Sequence, residues 1–310
     1  MKLFRKLDDL PDHLKGGAIT IGNFDGVHRG HARLIDQLKS FASELDAAAI
    51  VFTFDPHPVR ILRPEKAPPP LTWTNRKADL LAELGVDAVI AYPTTREMLE
   101  LKYDDFFRKL VVERVGARAM VEGPNFFFGR KREGNVQRLA ELCAARDIRL
   151  KIVQPLLDDE EFISSSRIRN LIRAGDVDLA REMLTRPYRI RGMVTHGAAR
   201  GASIGFPTAN LDAIDTLIPA AGVYAGRTYI DGRPHWSAIH IGPNPTFYEA
   251  VLKVESHVLD FDGSIYGSAV EVDFIGRLRD IRQFDSVEEL TAQLEKDVAA
   301  TRQVARNFPS

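Results

Sequence analysis

Apolar positions recur along this chain in two rhythms. In the first half, short apolar runs alternate with segments whose apolar residues fall three or four apart. Ala18-Ile19-Thr20-Ile21 reads as a short buried strand. Residues 31–45 then place Leu34, Leu38, Phe41 and Leu45 at the spacing of one helix face. Residues 49–54 form a second strand, rich in β-branched and aromatic side chains. A helix over 76–84 ends where Gly85 supplies a C-terminal cap. Strand 86–92, helix 104–115 closing before Gly116, strand 118–121, helix 136–146 and strand 149–153 continue the alternation. Strands separated by helices of this length predict parallel strands joined by crossovers, an open α/β sheet of Rossmann-like type. Residues 64–70 read as an irregular loop or lid, because consecutive prolines exclude helix and central strand.

Two short helices, near 165–174 and 176–184, end at Pro187, and the texture changes. From 188 to 281 short apolar runs are punctuated by Gly, Pro, Asn and Asp, which predicts an antiparallel barrel or sandwich. Residues 286–303 close the chain as a helix. Ser286 at its N-cap with Glu289 three residues on forms a capping box, and Val287, Leu290, Leu294 and Val298 form the expected buried stripe. The expectation is therefore two unlike domains, 1–186 and 187–310, with no internal repeat.

Composition narrows the function classes. A length of 310 residues suits two domains of about 150 each. Lys and Arg number 42 against 43 Asp and Glu, so the net charge of −1 gives no global pull toward nucleic acid or an anionic membrane. Cys143 is the single cysteine, which excludes a disulfide framework and any multi-cysteine metal site. The apolar run 47–54 is too short to span a bilayer, and no secretory h-region follows Met1, so a cytoplasmic protein is expected. The dinucleotide fingerprint G-x-G-x-x-G and the Walker A loop are both absent. Gly201-Ala202-Ser203-Ile204-Gly205 spells a hydrolase nucleophile elbow, but it lacks the strand before and the helix after that such an elbow requires.

Two segments carry phosphate chemistry. Gly22-Asn23-Phe24-Asp25-Gly26-Val27-His28-Arg29-Gly30-His31 joins the first strand to the first helix. Glycines Gly22, Gly26 and Gly30 admit a close ligand, and His28 and His31 fall at a helix start whose amides and dipole attract anions. A shared metal or a purely structural role are the alternatives for the two imidazoles; no cysteine cluster or third histidine nearby completes a zinc site. In the second half, Gly205-Phe206-Pro207-Thr208-Ala209-Asn210 is an unusual hexapeptide. Thr208 and Asn210 share one face of an extended segment, fit either to hold a magnesium ion or to form a turn and an edge strand.

At these residues the sequence resembles the bacterial bifunctional riboflavin kinase/FAD synthetase family. The segment 22–31 contains the H-x-G-H kernel of nucleotidyltransferases within that family's fuller first signature. Thr53-Phe54-Asp55-Pro56-His57-Pro58 follows in family order, then Gly123-Pro124-Asn125-Phe126-Phe127-Phe128-Gly129, similar to the flavin-side loop. Ile163-Ser164-Ser165-Ser166-Arg167-Ile168-Arg169 is similar to the I-S-S-T-R-I-R element, with Ser166 in place of Thr. The hexapeptide 205–210 is the most specific mark of riboflavin kinases. Around it stand His196-Gly197, Arg200-Gly201, residues 241–247, Val254-Glu255-Ser256-His257, Tyr266-Gly267 and Leu278-Arg279-Asp280. A second Arg is common shortly after Arg200-Gly201; here the position is Ala202.

The resemblance implies an ATP-dependent phosphorylation of riboflavin to FMN by the C-terminal half and adenylylation of FMN to FAD by the N-terminal half, with ADP and pyrophosphate as by-products. It implies that His28 and His31 act on the triphosphate, together with Gly22, Phe24, Asp25, Gly26 and Gly30. Ser164, Ser165 and Arg169 would grip pyrophosphate, while Asn125, Phe126 and Phe128 would face the flavin. Glu255 would be the base for phosphorylation; Arg200, Gly205, Pro207 and Thr208 would bind ATP; Thr208 and Asn210 would hold Mg²⁺. A monomer or weak homo-oligomer is expected, with no nucleic-acid or membrane partner. The rival expectations are a chain with one live activity and a flavin-binding regulator without catalysis.

Overall fold

The computed structural model describes residues 1–310 apart from 159–160, 198–199, 245–248 and 309–310. By internal packing the chain forms two compact units, Met1–Pro68 with Thr72–Ser165 and Pro69–Leu71 with Ser166–Ser310.

The first unit is built on parallel strands β1 (Lys2–Phe4), β2 (Ala18–Ile21), β3 (Ala49–Asp55), β4 (Ala88–Pro93), β5 (Ala119–Glu122) and β6 (Arg149–Ile152), in the order β1-β4-β3-β2-β5-β6. Its helices are α1 (Arg29–Glu44), α2 (Pro58–Leu62), α3 (Thr74–Glu83), α4 (Arg96–Leu99), α5 (Tyr103–Phe106) and α6 (Val136–Ala144). A two-strand hairpin, β7 (Leu157–Asp158) and β8 (Glu161–Phe162), follows β6. Successive residues of each central strand point to opposite faces. Ile19, Ile50, Phe52, Ile90 and Met120 therefore join one core, and Ala18, Ala49, Val51, Val89 and Val121 join another. Strands covered on both faces read as unbroken apolar runs, which is why they were legible. From β2 the chain builds outward through β3 and β4, then returns to place β5 on the other side of β2. The strand order reverses there, and a crevice opens at the carboxyl ends of β2 and β5.

Three details differ from the sequence reading. On α1 the fully buried residues are Ile35, Leu38 and Ala42, with Leu34, Phe41 and Leu45 packed at the margins of the stripe. The expected helix 104–115 starts as α5 and continues as a π-helix over Phe107–Val115, ending at Gly116 with φ 65°. Apolar spacing alone does not separate these helix types, since Phe107, Leu110, Val111 and Val115 are buried in either. Strand β1 was not anticipated. It is three half-exposed residues at the sheet edge, too short to show a period. Within the proline-rich stretch, Pro64 opens a single 3₁₀ turn, Pro64–Lys66, with proline in the first turn where its missing N–H costs nothing.

In the second unit, α7 (Ser165–Ala174) is followed by α8 (Val177–Leu184), which packs on β9 (Tyr188–Thr195) and β14 (Ala269–Arg279). The residues from Ser166 onward therefore pack with the β-rich half, although the sequence reading grouped both helices with the first. The other strands are β10 (Ala209–Asp212), β11 (Gly222–Ile230), β12 (Arg233–Asn244) and β13 (Glu249–Val258); a short helix, α9 (Arg200–Ser203), precedes β10. They close as an antiparallel barrel in the order β10-β13-β12-β11-β14-β9, which decides between barrel and sandwich. Ile239, Ile241, Val272 and Phe274 are fully or almost fully buried. Thr228, Ser237 and Ser256 satisfy one another there through hydroxyl hydrogen bonds of 2.9 and 2.7 Å.

The closing helix, α10 (Val287–Asn307), keeps its expected cap: Ser286 accepts from the Glu289 amide at 3.2 Å. Its expected stripe is kept in part: Leu290, Leu294 and Val298 are half-buried, whereas Val287 is 44% exposed, and the most buried residues are Asp297 and Thr301. Asp297 takes a two-pronged hydrogen bond from Arg279 of β14, at 2.9 and 2.7 Å, so an ion pair joins the half-buried aliphatic residues in seating this helix on the barrel.

Candidate active sites

The segment between β2 and α1 is shaped by its backbone. Gly26 adopts φ 83°, and Phe24 and Val27 also lie at positive φ, 47° and 42°. For a β-branched residue such as Val27 this is an outlier, held by packing that leaves both side chains 3% exposed. Strain of this kind concentrates where a loop must keep one shape for a ligand. Asp25 Oδ1 receives the Thr72 amide and hydroxyl at 3.1 and 3.2 Å. The Asp25 carbonyl receives the Ser165 hydroxyl at 2.8 Å, and the Gly26 amide donates to Thr72 Oγ1 at 3.3 Å.

The loop delivers His28 to the N-cap of α1, where the two histidines form a reciprocal capping box. His28 Nδ1 accepts from the His31 amide at 3.4 Å, and His31 Nδ1 accepts from the His28 amide at 3.3 Å. Both Nδ1 atoms are therefore acceptors, which puts the ring proton of each neutral imidazole on Nε2. The rings stack with centroids 3.7 Å apart. Two parallel Nε2–H donors at a helix N-terminus suit phosphate oxygens; a metal would need those lone pairs instead. Gly30 leaves room for the same arrangement: a Cβ there would lie 3.1 Å from His28 Nδ1, close enough to press on the ring.

A cavity of about 860 Å³ opens at the crevice. Gly22, Phe24, His28, Gly30 and His31 line one part of it and Asn125, Phe126 and Phe128 another. His28 is only 5% exposed, yet it faces this cavity instead of the core. Phe126 stacks on Phe128 with centroids 5.3 Å apart, and Phe128 is backed by Phe106 and Tyr103. Asn125 is exposed to the opening. The site thus combines an anion-binding end with an aromatic wall. Asp25, Gly26, Ser164, Ser165 and Arg169 are not among the residues lining this cavity. Asp25 and Ser165 brace the loop from behind, while Arg169, 6% exposed, packs in the second unit with its Nε donating to the Pro69 carbonyl at 2.9 Å.

In the barrel, Glu255 lies on β13 directly across from Asn210 of β10 and His240 of β12. Residues directly opposite in antiparallel strands share a face with Cβ atoms about 5 Å apart. Register therefore sets Asn210, Glu255 and His240 side by side on the outer wall, whereas Ile239, Ile241 and Val254 point inward. Gly205 takes φ 89° in open space, and the Pro207 carbonyl is 2.8 Å from His257 Nδ1. A Cβ on Gly197 would fall 2.2 Å from Asn210 Nδ2, and one on Gly201 would fall 3.6 Å from Thr208 Oγ1. Glycine at 197 leaves room for the Asn210 amide, and an amide oxygen and a threonine hydroxyl are the kind of ligands that suit a hard dication. The side chains of Arg200 and Asn244 and the residues 245–247 of the expected 241–247 motif lie outside the described residues.

Three polar residues escaped the sequence reading. Lys77 sits on the buried face of α3 with Ala78 and Leu81, its Nζ 3.4 Å from Thr53 Oγ1. Burial holds its ammonium below the usual lysine range against the pull of Asp25 and Asp55. A cation on an apolar stripe was the available signal. Glu122 ends β5 and is 2% exposed. His240 has a buried Nδ1 with no hydrogen-bond partner among the described residues. Burial, then Arg279, pushes this imidazole down to about 4, so it stands neutral beside Glu255.

Comparison with known proteins matches both halves. A family model described as FAD synthetase matches residues 10–167, and one described as riboflavin kinase matches 184–305. The bifunctional riboflavin kinase/FMN adenylyltransferase of Pseudomonas fluorescens is 34% identical over 306 residues, covering 98% of either chain. That of Listeria monocytogenes is 38% identical over 291 residues, 92% of this chain and 91% of the relative. A crystal structure from Streptococcus pneumoniae, described as a macrolide-efflux protein, has a TM-score of 0.85 at 30% identity and covers 97% of this chain and 98% of that one. Among the described residues no helix is long and apolar enough to cross a membrane. With both motif sets in place, one at the crevice and one on the barrel wall, and relatives matched end to end, this chain belongs to the bifunctional riboflavin kinase/FMN adenylyltransferase family.

Proposed function

We propose that this protein phosphorylates riboflavin to FMN with ATP and then adenylylates FMN to FAD, releasing ADP in the first reaction and pyrophosphate in the second. The observation that carries this reading is the presence of two separately matched halves, residues 10–167 and 184–305. Adenylyl transfer is assigned to residues 1–186 and phosphorylation to residues 187–310.

In adenylyl transfer, an FMN phosphate oxygen attacks the α-phosphorus of ATP and the bond to pyrophosphate breaks. No covalent enzyme intermediate is needed, so positioning and charge stabilisation dominate. The Nε2–H groups of His28 and His31 donate to the phosphate oxygens, and Phe126, Phe128 and Asn125 face the flavin. Ser164 and Ser165, beside the cavity lining and not in it, are assigned to the leaving pyrophosphate by the family resemblance alone. In phosphorylation, Glu255 accepts the proton of the riboflavin 5′-hydroxyl as that oxygen attacks the γ-phosphorus. Neutral His240 adds no positive charge of its own beside that carboxylate. Arg200, Gly205 and Pro207 serve the nucleotide. Thr208 and Asn210 would hold Mg²⁺, which when bound neutralises phosphate charge. The enzyme works in the cytoplasm, as a monomer or weak homo-oligomer.

Incubating the protein with riboflavin and Mg-ATP tests this reading by the products formed. FMN is expected first and FAD after it, with ADP and pyrophosphate in equal amounts for each FAD made. FMN supplied directly yields pyrophosphate without ADP. A single product from riboflavin would leave one live activity, and unchanged flavin would make the chain a flavin-binding regulator.

A further inference from the structure

Glu122 stands where the sheet order reverses. β2 and β5 pair at only two positions, Ala18 with Ala119 and Ile19 with Met120, and then part. In the gap, the Ile21 amide is received by Glu122 Oε1 at 2.7 Å. On its other side Glu122 stays in the sheet, aligned with Ile152, and its carbonyl accepts from the Val153 amide at 2.8 Å. The side chain is nearly dry, yet it lines the cavity that holds His28 and Phe128. Among the described residues its carboxyl makes that one hydrogen bond. An acid so placed usually has more partners. Asn23 Oδ1 lines the same cavity, buried and also without a partner among the described residues.

We propose that Glu122 is a flavin-recognition residue of the adenylyl-transfer site, contacting the pyrimidine edge of the FMN ring. This rests on the reading above, in which FMN lies against Asn125, Phe126 and Phe128. That edge presents two carbonyl acceptors flanking an N–H donor. Burial pushes the Glu122 carboxyl well above its usual range, opposed by the Ile21 amide, and so favours the protonated acid. With Oε1 accepting from Ile21, the acid has an O–H to donate to a ring carbonyl, and Asn23 Oδ1 is an acceptor for the ring N–H. A phosphate is a poor alternative occupant: it offers only acceptors and would face an acceptor in Asn23. The aromatic wall supplies stacking for a flat ring, and the crevice supplies its polar edge.

Glu122→Leu and Glu122→Gln separate this role from simple support of the loop. Adenylyl transfer is followed by pyrophosphate release with FMN, 2-thio-FMN and 4-thio-FMN, and a circular-dichroism thermal melt of each variant serves as the check on folding. Glu122→Leu is expected to raise the KM for FMN about tenfold or more while the KM for ATP stays within about twofold. Glu122→Gln, which still accepts from Ile21 and still donates, restores the FMN value. One thio-analogue, with its weak acceptor, binds wild type and Glu122→Gln less well than FMN but is not discriminated by Glu122→Leu. Parallel rises in both KM values, an unchanged KM for FMN in Glu122→Leu, or a wild type indifferent to both analogues would overturn the assignment alone. A wild type that makes no FAD from FMN overturns the underlying reading and this one with it.

Discussion

Glu255→Gln is expected to slow FMN formation from riboflavin by about 10²-fold or more while conversion of supplied FMN to FAD keeps its wild-type rate. Glutamine keeps the shape and the hydrogen-bonding reach of glutamate but accepts no proton at neutral pH. The loss should therefore fall on kcat, with little change in the KM for riboflavin. The geometry behind this is the register of the barrel, which fixes Glu255 between Asn210 and His240 on one wall. A loss confined to KM would make Glu255 a binding group. Steady-state kinetics with each substrate supplied separately make the distinction.

His28→Ala is expected to show the opposite pattern. Removing one preorganised donor from a developing oxyanion typically costs about 10²- to 10³-fold, here in pyrophosphate release from FMN and ATP. The substitution also removes half of the capping box on α1, a cost of about 1 kcal/mol in stability. Phosphorylation of riboflavin at the wild-type rate would show that the second centre is untouched, and an unchanged circular-dichroism melt that the first unit remains folded. His28→Gln, with an amide N–H as replacement donor, should recover part of the activity. Full activity in His28→Ala would remove the helix tip from the reaction.

Much of this was legible because local chemistry and tertiary role agree. Residues 49–52 of β3 are buried on both faces and so are all apolar, and Gly85 and Gly116 end their helices in the left-handed region where glycine is favoured. The His28/His31 pair could be assigned to a helix start, but its tautomer became visible only from the reciprocal capping bonds. What escaped notice were polar residues whose burial depends on long-range packing. Asp297 is buried beside the half-buried aliphatic residues of α10 because Arg279, on β14, meets it. Lys77 is enclosed by Asp25 and Asp55, which no local pattern links to it. Glu122 ends the apolar run Ala119-Met120-Val121 like any solvent-facing strand terminus; only the order of β2 and β5 turns it inward. The π-helix was hidden for a different reason, since its buried positions are compatible with an α-helix.

The central claim is that two independent centres act in sequence on one flavin. Mixing the two single variants tests it most directly, with riboflavin and Mg-ATP as the only substrates and FAD as the readout. Glu255→Gln alone should make almost no FMN, and His28→Ala alone should stop at FMN. An equimolar mixture should make FAD, because FMN released by one variant is taken up by the other. A mixture as inactive as its components would contradict the account, as would FAD formation by either variant alone at the wild-type rate.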